Sequence, residues 1–191
     1  MKFLIIGLGN IGDDYTGTRH NIGFDVADAF VRKHGGFFAT GRLAEICAVK
    51  WKGKSLTIIK PTTFMNLSGK AVKYWMEKES VALEQLLVIV DDIAIPLDRI
   101  RLRPSGSCAG HNGLRSIEET LLSDKYPRLR FGIGNNFPPG RQADFVLNRW
   151  TSEELPLVKQ KTDKCVEVIE NFITMGLERT MNEANKLVFT L

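Results

Sequence analysis

The sequence predicts an α/β fold: a single three-layer domain over residues 1–191, with a twisted mixed β-sheet and helices on both of its faces. Short apolar segments typical of buried strands alternate along the chain with segments whose apolar residues recur at helical spacing, which favours this architecture. Two adjacent strand-like segments are joined by a short turn, and such a hairpin makes the sheet mixed. The only linker-like cluster, Pro138–Gly140, is too short to separate two domains.

The first half of the chain contains a strand that runs into glycine and two helical segments. Lys2–Ile6 is an apolar run that ends at Gly7, which is typical of a buried strand. Phe24, Ala27 and Phe30 recur at helical spacing. We therefore predict, in order, a strand over Lys2–Ile6, a loop over Gly7–Asn21, a helix over Asn21–His34, paired strands over Leu43–Trp51 and Ser55–Lys60, a loop over Pro61–Gly69 and a helix over Lys70–Lys78.

The second half contains the most apolar strand of the sequence, which ends at two aspartates, and a helical C-terminus. Val158, Cys165, Ile169 and Phe172 follow the spacing of a buried helix face. The predicted elements are strands over Leu86–Val90 and Arg99–Arg103, a helix over Gly113–Leu122, a strand over Leu129–Ile133, a weaker strand over Gln142–Leu147 and one or two closing helices from Glu153 onward.

The composition is that of an ordinary globular protein, with 43% hydrophobic and 25% charged residues, which excludes disordered, collagen-like and coiled-coil classes. No apolar run approaches the roughly 18 residues of a membrane span. The three cysteines are widely spaced, which favours a reducing compartment over a disulfide framework. We therefore expect a soluble cytoplasmic protein. The net charge of +4 permits a polyanionic partner without requiring one.

A glycine motif follows the first strand, because Gly7–Gly12 matches the pattern G-x-G-x-x-G of dinucleotide-binding proteins. That fingerprint needs a helix that begins within the motif, so that its N–H groups meet the pyrophosphate. Here Asp13 and Asp14 follow, and no apolar helical face begins before Phe24. The sequence therefore favours glycines that serve a tight functional loop, and a nucleotide-dependent oxidoreductase is the weaker alternative.

Polar side chains follow the predicted strands, where ligands bind in open α/β sheets. We expect these loops to converge on one crevice. The residues are Asn10, Arg19, His20 and Asn21 after the first strand, Asn66 after the hairpin, Asp91 and Asp92 after Leu86–Val90, and His111 and Asn112 before the third helix.

His20 has three chemical interpretations: a metal ligand, a general base, or a hydrogen-bonded structural residue. The three histidines show no close pairing with one another or with the cysteines in sequence, which argues against zinc. A general base needs an orienting group for its second ring nitrogen, and a strand-end carboxylate such as Asp91 suits that purpose. Structural alternatives stay open for each residue: a satisfied surface or cap histidine, a turn or helix cap at Asp91 and Asp92, and an Asx-turn at Asn66.

Arginines alternate along two predicted strands, with Arg99, Arg101 and Arg103 on one and Arg128 and Arg130 on the other. Period two places the guanidinium groups of each strand on one face. Two interpretations are open: a solvated sheet edge whose charge discourages aggregation, and a phosphate clamp that uses the bidentate donors of arginine. The presence of two such strands favours the clamp.

Four ordered motifs resemble those of the bacterial-type peptidyl-tRNA hydrolase family, and together they cover nearly the whole chain. They are Gly7–Asn10 with Tyr15 and Thr18–Gly23, then Thr63–Val72 with Phe64 and Asn66, then Gly110–Leu114, and finally Arg128–Gly134.

The resemblance implies hydrolysis of the ester that joins a peptide to the tRNA 3′ end, without metal or cofactor. It implies that His20 is the general base, that Asp91 orients it, and that Asn10 belongs to the catalytic group. By the same resemblance Tyr15, Phe64, Asn66 and Asn112 bind the substrate, and Arg101, Arg103 and Arg130 lie where the tRNA 5′ phosphate binds. Peptidyl-tRNA is then the partner, and a monomer without an obligate protein partner is expected.

The chain departs from the family pattern at Ile11, at Ala94 and over Ser107–Ala109, and none of these departures removes a residue assigned to chemistry. The alternative from a different class is a non-catalytic RNA-binding relative of the same fold. Retention of His20, Asp91 and the three amides argues against that alternative.

Overall fold

The computed structural model describes all 191 residues, and seven strands form one mixed sheet. The strands are β1 (Lys2–Gly7), β2 (Ala39–Thr40), β3 (Ala44–Trp51), β4 (Lys54–Pro61), β5 (Leu86–Asp92), β6 (Ile100–Arg103) and β7 (Arg128–Gly132). Their order across the sheet is β2-β3-β4-β1-β5-β7-β6. The central neighbours β4, β1, β5 and β7 run parallel, whereas β2 and β3 at one edge and β6 at the other pair antiparallel.

Helices cover both faces of the sheet, which confirms the predicted three layers. They are α1 (Ile22–Lys33), α2 (Ser68–Glu79), α3 (Asn112–Leu121), α4 (Gln142–Leu147), α5 (Leu155–Met175) and α6 (Leu177–Ala184). One core cluster packs Phe30 of α1 and Phe172 of α5 on the sheet, and the other packs Trp75 of α2 and Ile117 of α3 on the opposite face. The central strands β1 and β5 are buried on both faces, which explains their nearly continuous apolar sequences. No helix is long and apolar enough to cross a membrane.

The glycines after β1 allow a close crossing of strand and helix rather than a nucleotide site. A Cβ at Gly7 would lie 2.2 Å from the carbonyl oxygen of Gly23, and a Cβ at Gly23 would lie 2.4 Å from the backbone nitrogen of Leu8. The start of α1 therefore packs directly on the end of β1. Because α1 begins only at Ile22, well beyond the glycine motif in sequence, the helix does not start within the motif as the dinucleotide-binding fingerprint requires.

The prediction of a strand over Gln142–Leu147 is wrong, because this segment forms the helix α4. Ala143, Val146 and Leu147 recur at a spacing of three and four residues, which places them on one helix face. A six-residue apolar segment fits either period, and here the helical spacing prevails. Strand β2 was not predicted because it is two residues long and exposed.

Candidate active site

The loops at the carboxyl ends of the parallel strands converge on a cavity of about 460 Å³. Among its lining residues are Asn10, His20, Asn66, Asp91 and Asn112, which the sequence analysis placed at separate strand ends. The expected convergence on one crevice is therefore present for these residues and for Asp92 and His111, whereas Arg19 and Asn21 do not line the cavity. Of the other predicted site residues, Phe64 and Arg130 also line this cavity, whereas Tyr15, Arg101 and Arg103 do not.

His20 lies in a short turn before α1, and its ring is held by the carboxylate of Asp91. Its Nδ1 lies 2.9 Å from Oδ2 and 3.1 Å from Oδ1 of Asp91, whose side chain is 2% exposed. With the Nδ1 proton donated to Asp91, Nε2 on the other side of the ring carries a lone pair. Burial acts to lower the pKa of His20, but the charge of Asp91 and its hydrogen bond outweigh this, so the pKa is raised above its usual value.

Arg19 anchors the turn that contains His20 to the rest of the cavity wall. Its guanidinium is buried, pairs with Glu154 at 2.9 Å and donates to the carbonyl of Phe145 at 3.2 Å. The same group stacks over the ring of Phe145 at 4.3 Å. Because Phe145 belongs to α4, this contact fixes the position of α4 relative to His20.

His111 shares Asp91 with His20; the sequence analysis expected it in the crevice but assigned it no chemical role. Its Nε2 lies 2.9 Å from Oδ1 of Asp91, and its ring centroid is 4.8 Å from that of His20. The two histidines, which are 91 positions apart in sequence, therefore meet in space, and the absence of pairing in sequence did not indicate this. The signal in the sequence was the position of His111 directly before α3, where a side chain caps the helix.

The cap of α3 determines which nitrogen of His111 bears the proton. His111 Nδ1 accepts the backbone N–H of Gly113 at 3.1 Å and that of Leu114 at 3.4 Å. The proton is therefore on Nε2 and is donated to Asp91. Burial acts to raise the pKa of Asp91, but the charges and hydrogen bonds of His111 and His20 hold it well below its usual value. Asp91 is thus a carboxylate that contacts two imidazoles: His111 at Oδ1, and His20 at Oδ2 and, at a slightly longer distance, at Oδ1.

The group His20, Asp91 and His111 brings three potential metal-ligand atoms within 4.8 Å of one another. A metal on this set would require His111 Nε2 to lose its proton while Nδ1 still faces two backbone N–H donors. It would also replace the hydrogen bond between His20 and Asp91. The nitrogen and oxygen atoms of this group are therefore arranged to form hydrogen bonds with one another, and they are poorly suited to bind a divalent cation.

Asn10 is fixed at the cavity wall by contacts to its backbone and its side chain. Its backbone N–H donates to Oδ1 of Asn21 at 2.8 Å, and its carbonyl accepts from Nδ2 of Asn21 at 2.9 Å. Its own Oδ1 accepts the N–H of Met65 at 2.7 Å. These three bonds leave the amide Nδ2 of Asn10 as the donor available to a ligand. They also hold the loop in place despite the departure from the family pattern at Ile11.

Asn66 and Asn112 are exposed residues that line the cavity from two different elements. Asn66 lies in the turn Met65–Leu67 before α2, and Asn112 is the first residue of α3. Neither side chain bonds to another protein group, so the Asx-turn alternative for Asn66 is wrong and both amides are free for a ligand. Phe64 is 56% exposed at the rim, where its ring meets Tyr15 edge-on at 6.5 Å.

The predicted arginine rows divide into exposed and buried members. In the register of β6 and β7, Arg101 lies opposite Arg130 and Arg103 opposite Arg128, so all four share a face. Arg103 is exposed, and Arg101 donates to the carbonyls of Ile100 and Asn185 at 3.0 and 3.3 Å. Arg99 precedes β6 and lies outside the pattern.

Arg128 is not available to a ligand, and its place in an exposed row is a wrong prediction. Its side chain is fully buried, lies 3.3 Å from Glu118 and donates to the carbonyl of Asp124 at 2.7 Å. Tyr126 covers it at 4.2 Å. Strand periodicity assigned the correct face, but helix α3 covers this end of it.

Comparisons with known proteins agree along the whole chain. Residues 4–190 match the protein family described as Peptidyl-tRNA hydrolase. The peptidyl-tRNA hydrolase of Parabacteroides distasonis is 50% identical over 97% of this chain and 99% of its own, and that of Chlorobium luteolum is 42% identical over 96% and 97%. The crystal structure of peptidyl-tRNA hydrolase from Acinetobacter baumannii matches with a TM-score of 0.92 and 29% identity, over 97% of this chain and 95% of that one.

Proposed function

The chain belongs to the peptidyl-tRNA hydrolase family and is an enzyme that hydrolyses the ester bond of peptidyl-tRNA, and we propose that His20 is its general base. One observation carries the proposal: the carboxylate of Asp91 accepts a hydrogen bond from Nδ1–H of His20, which leaves the lone pair of Nε2 as a base beside the cavity. An ester with a ribose leaving group needs little more activation than a positioned base and hydrogen-bond donors.

The proposed reaction moves one proton through His20. Nε2 takes a proton from water as the hydroxyl oxygen bonds to the ester carbonyl carbon, and Asp91 stabilises the resulting imidazolium. The amide Nδ2 of Asn10 donates to the oxyanion that forms on the carbonyl oxygen. When the C–O bond to the ribose breaks, the 3′ oxygen takes the proton back from His20. The products are the free peptide acid and the tRNA.

We propose that Asn66 and Asn112 read the peptide by hydrogen bonds to its amide groups, with Phe64 and Tyr15 as an aromatic surface beside them. Uncharged amides suit the N–H and C=O groups of a peptide. A free aminoacyl group brings an ammonium into contacts built for an amide, which disfavours aminoacyl-tRNA as a substrate. The exposure of both amides and their lack of protein partners support this assignment.

We propose that Arg130 binds the 5′ phosphate of the tRNA, together with Arg103 and Arg101 at the neighbouring edge strand. A guanidinium presents two parallel donors to phosphate oxygens. The shared face of β6 and β7 and the free terminal nitrogens of Arg130 support the proposal. We further propose that the protein acts in the cytoplasm as a monomer.

The test of the function is release of tRNA from N-acetyl-aminoacyl-tRNA in the presence of EDTA, beside unblocked aminoacyl-tRNA. We expect the blocked substrate to be hydrolysed at full rate with the chelator and the unblocked one to persist. A loss of activity with EDTA that added metal restores would contradict a reaction that runs through His20 and amides alone.

A further inference from the structure

Strand β5 ends in two consecutive carboxylates that face different sides of the sheet. Asp91 contacts His20 and His111, as described above. Asp92 lies on the other face, as alternation along a strand requires, and its Oδ2 is 3.0 Å from Nε of Arg130. Arg130 lies on the neighbouring strand β7, opposite Val90, so Asp92 is its diagonal neighbour on the same face.

The carboxylate of Asp92 is fixed independently of the arginine. Its Oδ1 accepts the backbone N–H of Ala94 at 2.8 Å, which leaves Oδ2 for Arg130. The side chains of Asp92 and Arg130 are 10% and 20% exposed, so solvent screens their interaction weakly. Nε of Arg130 makes no well-aligned hydrogen bond, so the contact acts through charge rather than through direction.

The charges around the cavity leave Asp92 and Arg130 as a pair. Arg130 is the one lysine or arginine that lines the cavity, and Asp91 and Asp92 are its carboxylates. Asp91 already holds two imidazoles, whereas Asp92 faces the guanidinium. A phosphate bound by the terminal nitrogens of Arg130 would therefore share that guanidinium with the fixed carboxylate of Asp92.

We propose that Asp92 is a positioning residue that sets the affinity of Arg130 for a tRNA phosphate by acting as its fixed counter-charge. The inference rests on the phosphate-binding function proposed for Arg130. Hydrolysis of the peptide ester leaves every phosphate of the tRNA unchanged, so product and substrate are held equally well by such a contact. A counter-charge that weakens the contact lets the deacylated tRNA leave.

The test compares N-acetyl-aminoacyl-tRNA with a 5′ monophosphate and the same substrate with a 5′ hydroxyl. The measured quantity is the ratio of their KM values for the unchanged enzyme, Asp92→Asn, Arg130→Gln and the double variant. Asn at position 92 keeps an acceptor for the N–H of Ala94 and removes the charge. We expect Asp92→Asn to increase the advantage of the phosphorylated substrate by about three- to tenfold, from the repulsion lost at a few ångströms. Arg130→Gln is expected to reduce the advantage to the part that Arg101 and Arg103 supply, and Asp92→Asn is expected to have little further effect in its presence.

A matched control is Asp144→Asn, which removes a carboxylate from the exposed pair Arg141–Asp144, with a separation of 2.8 Å, outside the cavity lining. We expect this variant to keep the original ratio. Asp92→Ser, whose hydroxyl also accepts a backbone N–H two residues on, is a second variant expected to act as Asp92→Asn does.

An unchanged or smaller phosphate advantage in the Asp92 variants overturns the proposal. If the unchanged enzyme hydrolyses both substrates with equal KM values, the phosphate-binding function of Arg130 fails and the inference fails with it. Because both substrates are still hydrolysed in that case, the proposed hydrolytic reaction is not contradicted. Failure of phosphate binding by Arg130 is therefore distinguishable from failure of the proposed hydrolytic function.

Discussion

His111 and Asp91 are joined by a hydrogen bond of 2.9 Å whose direction is set by the N-terminus of α3. The two backbone N–H groups at the start of that helix occupy Nδ1 of His111, so Nε2 must be the donor to Asp91. The start of α3 is thereby linked to Asp91 through His111, and the other carboxylate oxygen of Asp91 accepts the hydrogen bond from His20. The degree to which Asp91 stabilises protonated His20 depends on how strongly the hydrogen bond from His111 already stabilises the Asp91 charge.

Replacement of His111 by Asn tests this dependence. Asn also caps helices, so α3 is expected to remain intact while Asp91 loses one donor. The charge of Asp91 is then less satisfied, and it stabilises the imidazolium of His20 more strongly. We expect the acid limb of the kcat/KM profile to move to higher pH, with roughly a three- to tenfold loss at pH 6.5. A limb that stays in place would show that His111 serves the cap alone.

Replacement of His20 by Ala is expected to lower turnover by roughly 10²–10⁴-fold, the range of a lost acid–base group. Binding of tRNA is expected to persist, because the arginines that we propose to bind its phosphates are untouched. Single-turnover hydrolysis and a filter-binding assay measure the two quantities separately. Near-normal turnover would assign the base to another residue.

Replacement of Asp91 by Asn is expected to reverse the shift of His20. In the unchanged enzyme the pKa of His20 is raised above its usual value, so kcat/KM falls as the pH drops below that raised pKa. Without the carboxylate, burial alone acts on His20 and lowers its pKa, so the acid limb of the remaining activity moves to lower pH. Turnover is expected to fall by roughly 10²–10⁴-fold, since the amide no longer holds the required tautomer.

Arg103→Ala and Arg130→Ala are each expected to weaken tRNA binding and to reduce its salt dependence by up to about one phosphate contact. Arg101→Ala is expected to have a smaller effect, because its guanidinium is bonded to the carbonyls of Ile100 and Asn185. Arg141→Ala, at the exposed pair with Asp144, serves as the control for loss of one surface charge. Equal salt dependence of tRNA binding in all four variants would favour the other interpretation, in which these arginines only form a solvated sheet edge.

Asn21→Ala is expected to impair the enzyme through Asn10, whose backbone N–H and carbonyl both lose their partners. Because these groups are buried, unfolding is expected to become easier by about 1–3 kcal/mol. We expect kcat to fall more than KM rises, since Asn10 is proposed to act on the oxyanion. Thermal melting and steady-state kinetics check the two effects, and an unchanged kcat beside a lowered Tm would limit Asn21 to stability.

Local patterns were sufficient for elements whose pattern of apolar residues fits only one kind of secondary structure. The apolar runs of β1 and β5 and the periodic face of α1 each predict one structure, and the structure has it. Segment Gln142–Leu147 failed because six residues fit two periods, and its contact with Arg19 was not visible in sequence. That error removed α4 from the expected wall of the cavity.

The α/β class, the order of the elements apart from β2 and α4, and the strand ends at which the polar residues lie were all predictable from the sequence. They were predictable because the periodicity of apolar residues and the glycines at the ends of segments are properties of neighbouring residues in the sequence. Three relationships became visible only in the folded chain: His111 shares Asp91 with His20, Arg128 lies under α3, and Asp92 contacts Arg130. These are distances between side chains far apart in the chain, and they depend on how helices pack on the sheet rather than on any local period.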